Sequence, residues 1–217
     1  MLVSCGTTVK LKDSWKSETF DDVKGQKILV LNRGKHEGVR QRGERTIADE
    51  LRSLGLDAVE GFVAFPNMVE KDRTQEEIDT LIKNVLDAGY ETVVVTRLRN
   101  QDEAKSTSTR LTEQSQPAGK LGESEKYYET SEYGKYPLSF GVYYNSPDNL
   151  IPTKTPGPSE LEETTTNYTE IYRLETVTYD LSNASQLKGV VSINVSDPES
   201  LTEVLEKYAT LVAKQFK

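Results

Sequence analysis

Lys27-Ile28-Leu29-Val30-Leu31 and, further along, Tyr90-Glu91-Thr92-Val93-Val94-Val95-Thr96 decide the fold. The first is a nearly continuous apolar run after Gly25, which predicts a strand buried on both faces. The second is rich in β-branched residues, which suit a pleated sheet. Between them lie two helical patterns. Residues 37–54 carry Val39, Gly43, Ile47, Leu51 and Leu54 three or four positions apart, one face of a helix, and Gly55 follows as its C-terminal stop. Thr74-Gln75-Glu76-Glu77 has the pattern of a capping box. Ile78, Leu81, Ile82, Val85 and Leu86 continue it as an apolar stripe, and Gly89 ends it. Leu56 to Phe65, with Ala58, Val59, Phe62 and Val63, reads as a further strand broken by Pro66-Asn67. Residues 27–98 therefore read β-α-β-α-β, with parallel strands joined by right-handed crossovers in the order 2-1-3.

Outward from this unit the pattern changes. Residues 100–165 are polar, with Ser, Thr, Glu, Lys, Gly and Pro and six tyrosines. So long a stretch without periodicity is normally functional or disordered. After Asn167 order returns. Ile171 to Leu181 reads as a strand, Ser182-Asn183-Ala184-Ser185 as a turn, and Leu187, Val191, Ile193 and Val195 as the alternating face of a return strand. Asp197-Pro198-Glu199 reads as a helix start with Pro at its first position. Leu201, Val204, Leu205, Tyr208, Leu211, Val212 and Phe216 form the stripe of that last helix. The fold class is α/β: a mixed sheet in a two-layer or three-layer arrangement, ordered β-α-β-α-β, long insertion, β-hairpin, C-terminal α-helix. Residues 1–24 are expected to be a tether and edge segment. Residues 25–217 are expected to be one domain, interrupted by the polar, Tyr-bearing insertion at about 100–165.

Composition excludes several functions. The 217 residues carry 27 Lys and Arg against 35 Asp and Glu, a net charge of −8, whereas nucleic-acid binding wants a basic face. No run of about 18 apolar residues exists to cross a membrane as a helix. One Cys permits no internal disulfide, and one His argues against His-rich metal sites. No cofactor and no metal is expected.

The one cysteine sits in Leu2-Val3-Ser4-Cys5-Gly6, followed by a polar tether of Gly6-Thr7-Thr8. This stretch resembles the lipobox of bacterial lipoproteins, in which the Cys becomes the acylated first residue of the mature chain. Only four residues precede Cys5 here, so two expectations stand: a start further upstream, with the basic and apolar regions of a full signal peptide, or an accidental match in which Cys5 is a free thiol near the terminus. Three further stretches extend the resemblance: Asp13-Ser14-Trp15 followed by Lys27-Ile28-Leu29-Val30, Glu91 to Leu98 leading into the Tyr-bearing insertion, and the closing hairpin plus helix. Together they resemble small envelope lipoproteins of Gram-negative bacteria. The mature domains of that family share the α/β scaffold of the TolB amino-terminal domain, the penicillin-binding-protein activators and the curli-secretion lipoprotein. The resemblance implies lipidation (palmitate) at Cys5, a membrane attachment through that lipid anchor, and a location on the periplasmic side of the outer membrane. It implies binding or assembly work rather than catalysis, and supplies no catalytic residues.

Candidate contact residues follow from chemistry. Tyr127, Tyr128, Tyr133, Tyr136, Tyr143 and Tyr144 offer large faces at little entropic cost, which suits contact with an envelope protein or glycan. A local packing role is the plain alternative. Deleting 115–160 is expected to leave the fold stable and to abolish partner recovery. Trp15 reads as core or edge packing, with a sugar-stacking platform as the alternative. The loop after the first strand, Asn32-Arg33-Gly34-Lys35-His36-Glu37-Gly38, matches neither nucleotide-binding glycine pattern. His36 in that loop could serve as a general base, but no nucleophile accompanies it in sequence. The expected function is thus a non-enzymatic, lipid-anchored binding or assembly component of the cell envelope. Two alternatives stand beside it: a subunit of an oligomeric secretion-type lipoprotein assembly, and a hydrolase or small-ligand binder using a cleft at the carboxyl ends of the strands.

Overall fold

A computed structural model describes residues 8–34, 36–68, 73–106, 140, 144, 167–196, 198 and 200–217. Its strands are β1 (Thr8–Lys16), β2 (Ile28–Asn32), β3 (Ala58–Glu60), β4 (Thr92–Ser106), β5 (Asn167–Asp180) and β6 (Gln186–Ser196). Its α-helices are α1 (Glu37–Ser53), α2 (Gly61–Ala64), α3 (Gln75–Asp87) and α4 (Leu201–Ala213). Among the described residues the strands form one mixed sheet in the order β1-β6-β5-β4-β2-β3. β2 pairs in parallel with both β3 and β4, as the 2-1-3 expectation requires. The β5–β6 hairpin extends the sheet antiparallel to β4, and β1 closes the far edge against β6. Since β1 is hydrogen-bonded into the sheet from Thr8, the segment before residue 24 is mostly part of the body. Trp15 of β1 packs, half-buried, against one core cluster.

The sheet separates two apolar layers, giving three layers in all. Ile28, Val30 and Val94 face α1 and α4, with Ile47, Leu51, Val204 and Tyr208 among their partners. Leu29, Leu31, Val93 and Val95 face α3 through Ile78 and Val85, with Phe140 and Tyr144 on the same side. β2 is buried on both faces at four of its five positions, which is why it reads as an unbroken apolar run. Thr74 and Glu77 make both hydrogen bonds of the capping box, and Gly55 and Gly89 take positive φ just past α1 and α3.

Four expectations are corrected. The strand expected over 56–65 is only Ala58–Glu60, and Gly61 to Ala64 turn into α2. The buried Glu44 carboxylate accepts the Phe62 amide at 2.8 Å, which favours a helical turn there. Helix α4 starts at Leu201, capped by Ser200, whose side chain accepts from the Glu203 amide, and not at Asp197-Pro198. The residues before about 107 are strand: β4 runs to Ser106 and pairs with β5 as far as Asn167. Lastly, Leu187 packs on the α3 side while Val191, Ile193 and Val195 face α1 and α4. A register shift opposite Thr178/Tyr179 inserts one residue, and an extra residue moves every later side chain to the other face.

Candidate functional site

The connection from β2 to α1 builds the site. Asn32 ends β2 opposite Thr96 of β4. Its backbone amide donates to Glu44 Oε1 at 3.1 Å, and the Arg33 amide donates to the Thr96 carbonyl at 2.8 Å. A Cβ at Gly43 would collide with the Asn32 side-chain amide, so the glycine lets that side chain lie against α1. His36 is the exposed N-cap of α1, with no side-chain capping bond. Burial pushes the Glu44 carboxyl above the usual glutamate value, though the Phe62 and Asn32 amides and Arg40 oppose this.

Beyond Asn32 opens a cavity of about 600 Å³ between the sheet and helices α1 and α4. Its walls include Ile47, Leu174, Val195, Val204 and Leu205, and Leu98 and Val39 also border it. Its polar edge holds Asn32, Arg33, His36, Thr96 and Arg99. Two of these are committed internally. Thr96 Oγ1 lies 2.6 Å from Thr176 Oγ1, which also bonds the Tyr208 hydroxyl. Burial holds that phenol well above the ordinary tyrosine value, so it stays neutral. Arg99 Nε donates to Glu175 at 2.6 Å, with both side chains almost wholly buried. The cavity thus sits beyond the carboxyl end of β2 and alongside the middle of β4, close to where open α/β sheets generally take ligands.

The ends of several strands meet at this pole. β2 stops at Asn32, Thr8 opens β1 opposite Ser196, and Ser196 lies opposite Ile171, which lies opposite Asp102. The 107–166 segment leaves from Ser106 and returns at the paired Asn167.

Of the residues singled out in sequence, His36 borders the cavity. Tyr144 is 2% exposed. Its ring lies 4.4 Å from the Arg33 guanidinium and 5.1 Å from that of Arg73, with Phe140 at 5.6 Å. Arg33 also donates to its carbonyl and Arg73 to its hydroxyl. Its faces are thus occupied within this chain. Cys5 and Tyr127, Tyr128, Tyr133, Tyr136 and Tyr143 lie outside the described residues. Sequence reasoning missed Glu44, Thr96, Arg99 and Tyr208. Their signal was polarity within apolar patterns, such as a Glu on the buried stripe of α1. Among the described residues no group of three His, Cys, Asp or Glu gathers as a metal site, and no helix is long and apolar enough to cross a membrane.

In class, then, this is a three-layer α/β domain with a largely apolar cavity at the carboxyl end of β2, between the sheet and helices α1 and α4. No protein-family model matches the chain, and no curated protein matches it in sequence. Among solved structures it is similar to two crystal forms of the PelC dodecamer from Paraburkholderia phytofirmans. One, a variant in space group C2, is 11% identical with a TM-score of 0.43, covering 95% of this chain and 96% of that one. The other, in space group P6, is 10% identical with a TM-score of 0.43, covering 97% and 96%. A likeness this slight transfers neither fold nor function.

Proposed function

We propose that this chain is a non-enzymatic binding component of the bacterial cell envelope, held on the periplasmic side of the outer membrane by lipid on Cys5. The observation that carries the reading is the shared pole. Thr8 opens the edge strand where the 107–166 segment is rooted and where the cavity lies. Cys5 is three residues upstream of Thr8, about 10 Å of extended chain. Acylation at Cys5 would therefore bring this pole to the membrane surface. The cavity and the segment bearing Tyr127, Tyr128, Tyr133, Tyr136 and Tyr143 would then share one contact side. Binding is favoured over hydrolysis because the cavity is walled largely by aliphatic side chains, which suit burial of an apolar ligand.

The test is the intact mass of the protein made from its native locus. A chain beginning at Cys5 with a diacyl or triacyl increment is expected, and Cys5→Ser should shift the protein from the membrane to the soluble fraction. Unmodified Cys5 in the native product would overturn the reading.

A further inference from the structure

We infer that the cavity between the sheet and helices α1 and α4 holds one uncharged alkyl chain, and that the chain itself, with no charged head, is what the site recognises. This rests on the binding reading above and deepens it by naming the ligand class; it does not depend on acylation of Cys5. Three observations converge. The first is size: about 600 Å³ lies within the roughly 300–1,000 Å³ of small-molecule sites. The second is the wall. Ile47, Leu174, Val195, Val204 and Leu205 line it. All but Leu174 are core side chains, between 1% and 7% exposed, so the wall is held in place by packing on its far side. Such a wall offers water few partners, and an apolar molecule displaces that water at little cost.

The third observation is that the inner polar groups are committed within the protein. Thr96 Oγ1 lies 2.6 Å from Thr176 Oγ1, which also bonds the Tyr208 hydroxyl, and Arg99 donates to Glu175. None of these groups needs a ligand to complete it. A sugar or peptide would set its hydroxyls or amides against the aliphatic wall, at a cost that an alkyl chain does not carry. The mouth continues the same chemistry. Leu98 and Leu201 border the cavity at 43% and 38% exposure. They are two of the four exposed large apolar side chains among the described residues, with Leu11 and Val63. An elongated chain emerging there covers both leucines, whereas a compact ligand held inside would leave them in water. A hydroxyl head finds polar neighbours at the β2–α1 connection, where Asn32 and His36 line the cavity.

The test uses the full chain with Cys5→Ser, stripped of bound lipid and titrated calorimetrically with hexanol, octanol, decanol and octane-1,8-diol, each below its solubility limit. Octanol should saturate at one per chain. Each added CH₂ should tighten binding about fourfold, so octanol should bind about fifteenfold more tightly than hexanol, and decanol more tightly again. Octane-1,8-diol has the same length as octanol but carries a hydroxyl into the aliphatic end, and should bind about tenfold more weakly. Leu205→Trp should block every probe by filling the cavity. Leu98→Trp, at an exposed position where the fold tolerates bulk, should weaken them at the mouth. Equal binding of octanol and the diol, or an affinity that does not rise with chain length, would overturn the alkyl chain as the recognised group. Absence of saturable binding, or octanol binding unchanged by both tryptophan variants, would overturn the cavity as the site. Sedimentation with phosphatidylcholine vesicles names the source of the chain. A protein that binds octanol and sediments draws it from a bilayer; one that binds octanol and stays in solution takes a free amphiphile; both agree with the inference. Unmodified native Cys5 with octanol binding intact would remove only the envelope reading; an acylated protein that binds no octanol would remove only this inference.

Discussion

Glu44 shows how one side chain can set the geometry of a site. It lies on the buried stripe of α1 and ties the end of β2 to the start of α2 through two backbone amides. Loss of either acceptor leaves a buried N–H unmatched, costing about 1–3 kcal/mol. Glu44→Ala removes both and should cost more than Glu44→Gln in urea unfolding. The pH dependence has a definite sign. Burial raises the folded-state pKa above that of the unfolded chain, so the folded protein holds the proton more tightly. That contribution is fully present below the ordinary glutamate value and lost as pH rises through the raised one. The native protein should therefore lose stability relative to Glu44→Gln as pH rises through that window, and parallel stability curves would refute the assignment. The Arg99–Glu175 pair makes a second prediction. Arg97 lies opposite Glu175 in the β4–β5 register and is also buried, as is Arg173 two residues before it, so Glu175 is a buried acid in a basic neighbourhood. Glu175→Ala should cost about 3–5 kcal/mol, and more than Arg99→Ala, by chemical denaturation.

At the scale of elements, what was legible followed from local signals. The α3 capping box reads directly from Thr74 and Glu77 because both partners lie within one turn. Thr74→Ala should cost about 1 kcal/mol, seen as a lowered midpoint in urea with an unchanged slope. The strand order of β2, β3 and β4 was legible because crossover handedness leaves few options. What was not legible depended on distant partners. The end of β3 is set by Glu44 from another helix, and the face of Leu187 by a bulge that no local pattern announces. Lys188, at that bulge, is 1% exposed and reaches Thr19 Oγ1 at 2.7 Å. Polar residues read as solvated unless a partner is known. The cavity was legible only as a place beyond the strand ends, because its walls come from α1, β4, β5, β6 and α4 together.

At the scale of the whole molecule, the insertion is less separable than its composition suggests. Phe140 is 1% exposed and packs on Tyr179 and Tyr144, and Tyr144 is held against Arg33. Deleting 115–160 would thus remove two core rings along with the tyrosines expected to contact a partner, and the fold would not stay unaffected. Truncating one buried aromatic typically costs about 3–5 kcal/mol, and each kcal/mol moves the melting point of a chain this size by roughly 2–4 °C. The 115–160 deletion, like Phe140→Ala, should therefore lower the melting temperature by about 10 °C or more. A deletion of 110–135 keeps Phe140 and Tyr144 while removing Tyr127, Tyr128 and Tyr133, and should melt close to the intact protein. Crosslinking in the periplasm then separates the two roles. If the shorter deletion melts normally and loses its crosslinks, the tyrosines make the contact and the two rings hold the core. If it melts normally and keeps every crosslink, contact belongs to other parts of the pole, and the cavity edge at Arg33 and His36 is the next place to cut.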